Sequence, residues 1–281
     1  METAEAYQHC LRLARQHYEN FPVASHLLRQ DRRQAVAAIY AFARQADDYA
    51  DEPPYGPEPQ RLALLGAWEA KLDAPGEDPV FVALADACQR FRIPRQLLID
   101  LLNAFRQDVR GQRYADFAGL QGYCRLSANP VGRLVLAIHG RLEPELALLS
   151  DEVCTGLQLA NFLQDMKSDA LERSRIYLPA DEMAAAGVAA ADLRAMAASP
   201  ALRALVQAQV ARTRGFFERG ADLPGRLGGL LGLEIRLTLL GGSAILDTIQ
   251  RQGFDTLRAR PKLGKARWLG LLARALAGGR R

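Results

Sequence analysis

Gly156-Leu-Gln-Leu-Ala-Asn-Phe-Leu-Gln-Asp-Met-Lys-Ser-Asp169 is the stretch on which the fold turns. Wound at about 100° per residue, it brings Gln158, Asn161, Asp165 and Asp169 into a band roughly 80° wide. Leu157, Leu159, Ala160, Phe162, Leu163 and Met166 cover most of the remaining circumference. A helix apolar nearly all round is a buried helix. Two carboxylates and two amides are therefore expected to line up inside a core, where an ionised group needs a partner or a metal.

A second acidic cluster lies upstream in Arg44-Gln-Ala-Asp47-Asp48-Tyr-Ala-Asp51. Asp47 and Asp51, at i and i+4, share one helix face. Glu52-Pro53-Pro54 closes that helix, so the carboxylates sit in its last turns. This is the negative end of the helix dipole, and it calls for a compensating cation nearby. The two clusters are expected to face each other and to hold magnesium diphosphate. Magnesium binds through a few carboxylates plus substrate phosphates and keeps several waters. The rival helix-bundle metal site, a di-iron centre, needs a His three residues after an acidic ligand, and neither cluster has one. On its own, either cluster is also compatible with a solvated charged face.

The rest of the chain narrows the class. Its 281 residues, 49% hydrophobic and 24% charged, suffice for one sizeable core, and no linker interrupts them. The net charge of +4 fits an anionic substrate or an anionic membrane surface. No zinc-finger spacing or aromatic-interleaved basic stripe points to nucleic acid. Cys10, Cys88, Cys124 and Cys154 form no C-x-x-C pair and read as reduced core thiols of a cytoplasmic protein. Glu2 and Glu5 in place of an apolar run argue against a signal peptide. No uninterrupted run of about 18 apolar residues predicts a membrane span.

Alternating β-branched runs are nearly absent, whereas Ala, Leu, Arg and Gln abound. The expectation is an all-α single domain over 1–281 with about ten helices. Predicted helices fall near 3–18, 32–50, 60–72, 79–91, 94–108, 120–127 and 131–139, with Asn129-Pro130 as an interruption. Further ones fall near 143–150, 151–172, 180–186, 190–196, 199–218, 224–249 and 265–277. Gly225, Gly228, Gly229 and Gly232 lack the Lys-Ser/Thr of a phosphate loop and are assigned to close helix packing.

Taken together, Arg44-x-x-Asp47-Asp48-x-x-Asp51, Tyr123-Cys124, Gln158-x-x-Asn161-x-x-x-Asp165-x-x-x-Asp169 and Arg175-x-Tyr177-Leu178-Pro179 resemble the squalene/phytoene synthase family. The similarity runs from His17 to about Trp268. It implies an isoprenoid-synthase-type helical bundle around a central cavity, with aspartates that bind Mg2+ and help diphosphate leave. Four stretches look like one branch of that family: His17-Tyr-Glu-Asn-Phe-Pro-Val-Ala-Ser25, Ala104-Phe-Arg-Gln-Asp108, Tyr123-Cys-Arg-Leu-Ser-Ala-Asn-Pro-Val-Gly132 and Leu157-Gln-Leu-Ala-Asn-Phe162. That branch belongs to the bacterial hopanoid pathway. It ionises presqualene diphosphate and lets water capture the cation, giving hydroxysqualene and diphosphate without reduction.

The resemblance implies roles residue by residue. Asp47, Asp48 and Asp51 are the metal ligands of the first motif, and Asn161, Asp165 and Asp169 those of the second. Arg44 and His17 match positions near the diphosphate, and Gln158 lies near the reacting carbons. Arg258 or Arg260 approaches the diphosphate from the C-terminal side. Tyr123 matches a cavity tyrosine, and Phe21, Phe42, Phe105 and Phe162 are further candidates for cation-holding walls, each equally compatible with plain core. The chain departs from much of the family at Gln164, where an arginine is usual, and at Asn129-Pro130, where Ala-Gly is usual. A tyrosine seen in some relatives is replaced near Gly242. The polar departures make Asn129 or Gln164 the candidate holder of the attacking water.

Three readings compete: a lyase that quenches with water, a transferase joining two prenyl diphosphates head to head, and a non-catalytic helical scaffold. The retained aspartates count against the scaffold. The tail over 265–281 is basic and amphipathic, with Trp268, Leu269, Leu271, Leu272 and Leu276. Such a helix lies on an anionic membrane or packs on the domain. The first option implies peripheral contact with the inner membrane face.

Overall fold

A computed structural model describes residues 1–16 and 28–278. Among them regular structure is entirely helical. The described residues form thirteen α-helices and two 3-10 turns, against an expectation of about ten helices. His17 and Phe21 lie outside the described residues. The chain divides into two compact units, Met1–Arg110 with Pro130–Leu142, and Gly111–Asn129 with Glu143–Arg281.

The first unit contains α1 (Thr3–Gln16), α2 (Gln30–Asp51), α3 (Glu58–Ala70), α4 (Pro79–Phe91), α5 (Arg95–Val109) and nearly all of α7 (Asn129–Ile138). α2 packs against α1, α3, α4 and α5. It can approach them closely because Ala35, Ala37, Ala38, Ala41, Ala46 and Ala50 line its buried faces. Phe42 fills the space these alanines leave. It is fully buried, stacks on Trp68 and meets Phe81 edge-on, while the Trp68 indole donates to the Phe42 carbonyl at 3.2 Å. Phe42 is thus core of this unit. Phe105 also packs, half-buried, against that core.

The second unit is built on α8 (Pro144–Glu172), together with α6 (Phe117–Ser127), α9 (Ala180–Ala185), α10 (Pro200–Arg219), α11 (Leu223–Leu227), α12 (Gly229–Arg251) and α13 (Lys265–Ala277). α6, α10, α11 and α12 all pack on α8. The expected short helix at 143–150 is continuous with the organising helix. No Gly or Pro stands between Glu145 and Thr155, so propagation costs nothing extra there. The opposite holds at 224–249, which the structure splits. Gly228 and Gly229 take φ of +63° and +54°, left-handed values that end α11 before α12 begins. Two of the four glycines assigned to packing therefore make a turn. Gly232 does pack, since a Cβ there would lie 2.3 Å from the Pro224 carbonyl oxygen.

α12 is long and apolar enough, by length and composition alone, to cross a bilayer. The sequence expectation missed this because Gly, Ser, Thr and single charges interrupt the apolar run. We read α12 as a helix of the folded unit, since α8, α10, α11 and α13 all pack against it. It also carries Glu234, half-buried. Burial raises the Glu234 carboxyl above its ordinary value of 4.5.

The α8–α12 crossing depends on two missing side chains. The Phe217 ring of α10 lies 2.7 Å from where a Cβ would stand on Gly156 and 2.7 Å from where one would stand on Gly242. Gly242→Ala should therefore destabilise the protein by about 1–3 kcal/mol, read as a lower denaturant midpoint at unchanged m-value. Glu234→Gln should act the other way, and with a pH signature. The folded chain holds the Glu234 proton more tightly than the unfolded chain, so wild-type stability falls as pH rises through the raised value. The variant escapes that loss: its Tm should exceed wild type at neutral pH, and the gain should vanish near about pH 4.

Candidate active site

In the first unit the acidic cluster occupies the C-terminal turns of α2, as its spacing predicts. Arg44 lies one turn back and supplies the cation this helix end requires. Its Nη1 reaches Asp47 Oδ2 at 3.2 Å, its Nη2 reaches Asp48 Oδ1, and Glu52 is 3.9 Å away. The Arg44 Nε–H is buried and has no acceptor among the described residues. Asp51 ends the helix one turn beyond Asp47. Tyr40, one turn before Arg44, has its phenol pushed up by burial, opposed by Arg44 and reinforced by the Asp47 and Asp48 charges.

In the second unit the polar stripe of α8 runs along an otherwise buried helix. Its edge is more open than the sequence suggested. Asn161 is exposed, Gln158 and Asp165 are half-buried, and Asp169 is buried. The Asn161 amide donates to Asp165 Oδ2 at 2.9 Å. Asp165 also receives Arg260 side-on, through Nε to Oδ1 and through Nη2 to Oδ2 at 3.0 Å. That hydrogen bond is the main reason the Arg260 pKa is raised, and the Asp165 and Asp169 charges add to it. Asp169 turns the end of the helix, its carbonyl accepting from the Arg173 and Arg175 amides.

Arg260 is delivered by a strap over residues 255–261 that two α8 side chains hold in place. Gln164 donates through Nε2 to the Pro261 carbonyl at 2.6 Å, and Lys167 donates through Nζ to the Leu257 carbonyl at 3.1 Å. Asp255 anchors the root of the strap. Burial opposes ionisation of its carboxyl, but the Ala198, Arg258 and Leu257 amides and the Arg203 guanidinium outweigh burial and hold its pKa below the ordinary value. Of the two arginines expected from the C-terminal side, Arg260 meets the aspartates of α8. Arg258 stays at the root, 4.0 Å from Asp255 and mostly exposed.

Tyr123 belongs to an aromatic group that the sequence reading recognised only in part. Phe162 and Tyr177 stack with centroids 4.0 Å apart. Tyr123 lies 5.5 Å from Tyr177 and 6.0 Å from Phe162, and Tyr114 lies 5.5 Å from Tyr123. Tyr177 had been noted only as part of a family pattern, and Tyr114 not at all. An isolated tyrosine in a connection carries no periodic signal that would single it out. Asn129 is buried, and its Oδ1 accepts from the Thr155 hydroxyl at 2.9 Å. Thr155 is the second residue missed, because a threonine among apolar neighbours reads as filler.

Among the described residues, no three acidic, histidine or cysteine side chains converge as a ready-made metal cage. Each motif still offers only hard oxygen donors. A magnesium ion that keeps waters and substrate phosphates needs few protein ligands, so the donor chemistry fits. The unsatisfied Arg44 Nε–H suits an anionic oxygen.

Comparisons with known proteins identify the family. The family model for squalene/phytoene synthase matches residues 14–267. The hydroxysqualene synthase of Zymomonas mobilis is 35% identical over 264 residues, covering 92% of this chain and 88% of that protein. The hydroxysqualene synthase of Rhodopseudomonas palustris is 37% identical, covering 87% of this chain and 83% of its own length. Among solved structures, the squalene synthase HpnC of Alicyclobacillus acidocaldarius superposes with a TM-score of 0.82 at 37% identity, covering 90% of this chain and 95% of that one. A dehydrosqualene synthase at 22% identity shares the fold with a TM-score of 0.84. The chain belongs to the squalene/phytoene synthase family.

Proposed function

We propose that this protein is a hydroxysqualene synthase, which converts presqualene diphosphate and water to hydroxysqualene and diphosphate. The observation that carries the reading is similarity at 35–37% identity, over most of both chains, to proteins of that name. Arg44 beside Asp47 and Asp48, and Arg260 on Asp165, add to it.

In the reaction, the bond from carbon to the diphosphate oxygen breaks, the water oxygen bonds to the rearranged cation, and a proton is lost. Asp47, Asp48, Asp51, Asn161, Asp165 and Asp169 are the groups that would hold Mg2+. Bound magnesium supplies Lewis-acid stabilisation of the charge growing on the leaving diphosphate. Arg44 and Arg260 neutralise the aspartates in the unloaded protein and offer the same guanidinium donors to phosphate oxygens. His17 and Gln158 complete the proposed substrate contacts. Tyr114, Tyr123, Phe162 and Tyr177 supply ring faces, which attract a carbocation without reacting with it.

For the water, the two candidates differ. The Gln164 amide is committed to the Pro261 carbonyl, whereas Thr155 fixes the Asn129 carbonyl and leaves the Asn129 amide as the donating end. We assign the water to Asn129. The reaction would take place in the cytoplasm, with peripheral contact at the inner membrane face through the C-terminal tail.

Purified protein, presqualene diphosphate and Mg2+, without NADPH, should yield hydroxysqualene, detected by mass spectrometry. A product formed from farnesyl diphosphate with no hydroxysqualene from presqualene diphosphate would instead identify a transferase. Asn129→Leu should shift the product mixture from alcohol towards elimination or rearrangement products. An unchanged product ratio in that variant would remove the water-holding role.

A further inference from the structure

α13 uses only part of its apolar face within the fold. Leu271 and Ala275 are buried against α12 and occupy an arc of about 40°. Beside them Trp268, Leu272, Leu276 and Leu269 span about 100° more. These four are 45%, 40%, 54% and 69% exposed. The helix is not loosely attached. The Trp268 ring lies over Gly241, Arg236 donates to the Ala275 carbonyl at 3.1 Å, and Arg267 pairs with Asp247 at 3.5 Å. These ties set α13 on its unit with the wider arc turned outward.

Charge accompanies this arc. After Asp255 the chain has no Asp or Glu, while Arg258, Arg260, Lys262, Lys265, Arg267, Arg274, Arg280 and Arg281 follow. The other 255 residues hold 28 Lys and Arg against 32 Asp and Glu, a net −4, so the whole positive excess of the chain resides in its last 26 residues. Lys262, Lys265 and Arg274 are exposed. Lys265 stands at the N-terminal end of the open apolar arc, where its stem can lie along the apolar surface with the ammonium at the headgroups.

We propose that the Trp268–Leu269–Leu272–Leu276 face of α13 lies flat in the interface of a bilayer rich in anionic phospholipid, with Lys262 and Lys265 on the headgroups. This deepens the membrane contact named above and does not depend on which prenyl diphosphate is the substrate. A second copy of the chain is the rival occupant. A two-fold contact would place two identical acid-free cationic tails against each other, which like-charge repulsion opposes. An anionic surface meets both the apolar arc and the charge.

The test is co-sedimentation of the full-length protein with vesicles of phosphatidylglycerol in phosphatidylcholine, and with phosphatidylcholine alone. Wild type should sediment with the anionic vesicles and much less with the neutral ones. Leu269→Glu/Leu272→Glu/Leu276→Glu changes only exposed side chains and should retain wild-type helicity while losing vesicle binding by at least about tenfold. Lys262→Gln/Lys265→Gln should weaken the preference for anionic lipid. Wild type that ignores anionic vesicles, or a triple-Glu variant that binds as wild type does, would overturn the proposal. So would a wild-type dimer that the triple-Glu variant converts to monomer, which would assign the face to a second copy. Vesicle binding is read without turnover, so a negative result leaves the assigned reaction standing.

Discussion

A carboxylate on a helix that is apolar around most of its circumference must be given a positive partner. In this protein that requirement shapes everything near α8. Asp165 lies at the edge of a buried helix and is met by Arg260, which arrives from 95 residues further along the chain. Bringing it there takes a strap rooted at the buried Asp255 and stitched to α8 by Gln164 and Lys167. The first motif solves the same problem locally, with Arg44 one turn before Asp47 and Asp48. In both units a guanidinium offsets the aspartates. A divalent cation bound at those carboxylates would compete with the guanidinium, and a diphosphate oxygen would be a natural new partner for an arginine so displaced. Metal and diphosphate are thereby expected to favour each other's binding.

The local part of this arrangement was legible in the residues. The i,i+4 spacing placed the carboxylates on common faces, and the position of the first cluster at a helix end demanded the cation that Arg44 provides. What could not be read were partners distant in sequence. Nothing in the residues around Gln164 says that its amide holds Pro261, and nothing around Gly156 or Gly242 says that Phe217 stands between them. Helix limits failed where local signals were weakest. The helix over 144–172 has no breaker near residue 150, and the break at Gly228 rests on a left-handed backbone that a glycine permits but does not announce. Phe42 shows a further limit. A phenylalanine lining a cavity and one filling a core have the same periodicity, and only the ring contacts with Trp68 and Phe81 separate them.

The departures from the family pattern acquire different meanings once partners are known. Gln164 takes up a structural bond, exchanging a usual charge for an amide that ties down the strap. Asn129 is buried beside Thr155, and its carbonyl accepts from the Thr155 hydroxyl. Glycine at 242 leaves room for Phe217, which links that change to the packing of three helices.

We propose that both acidic motifs are required for magnesium-dependent binding of diphosphate. Manganese, a spectroscopically visible stand-in for magnesium, can be titrated with pyrophosphate against wild type, Asp47→Asn, Asp165→Asn and the double variant. If both motifs are required, each single substitution should remove most of the pyrophosphate-dependent manganese binding, and the double variant should lose little more than the worse single. Losses that simply add, or a single variant that binds as wild type does, would contradict the account.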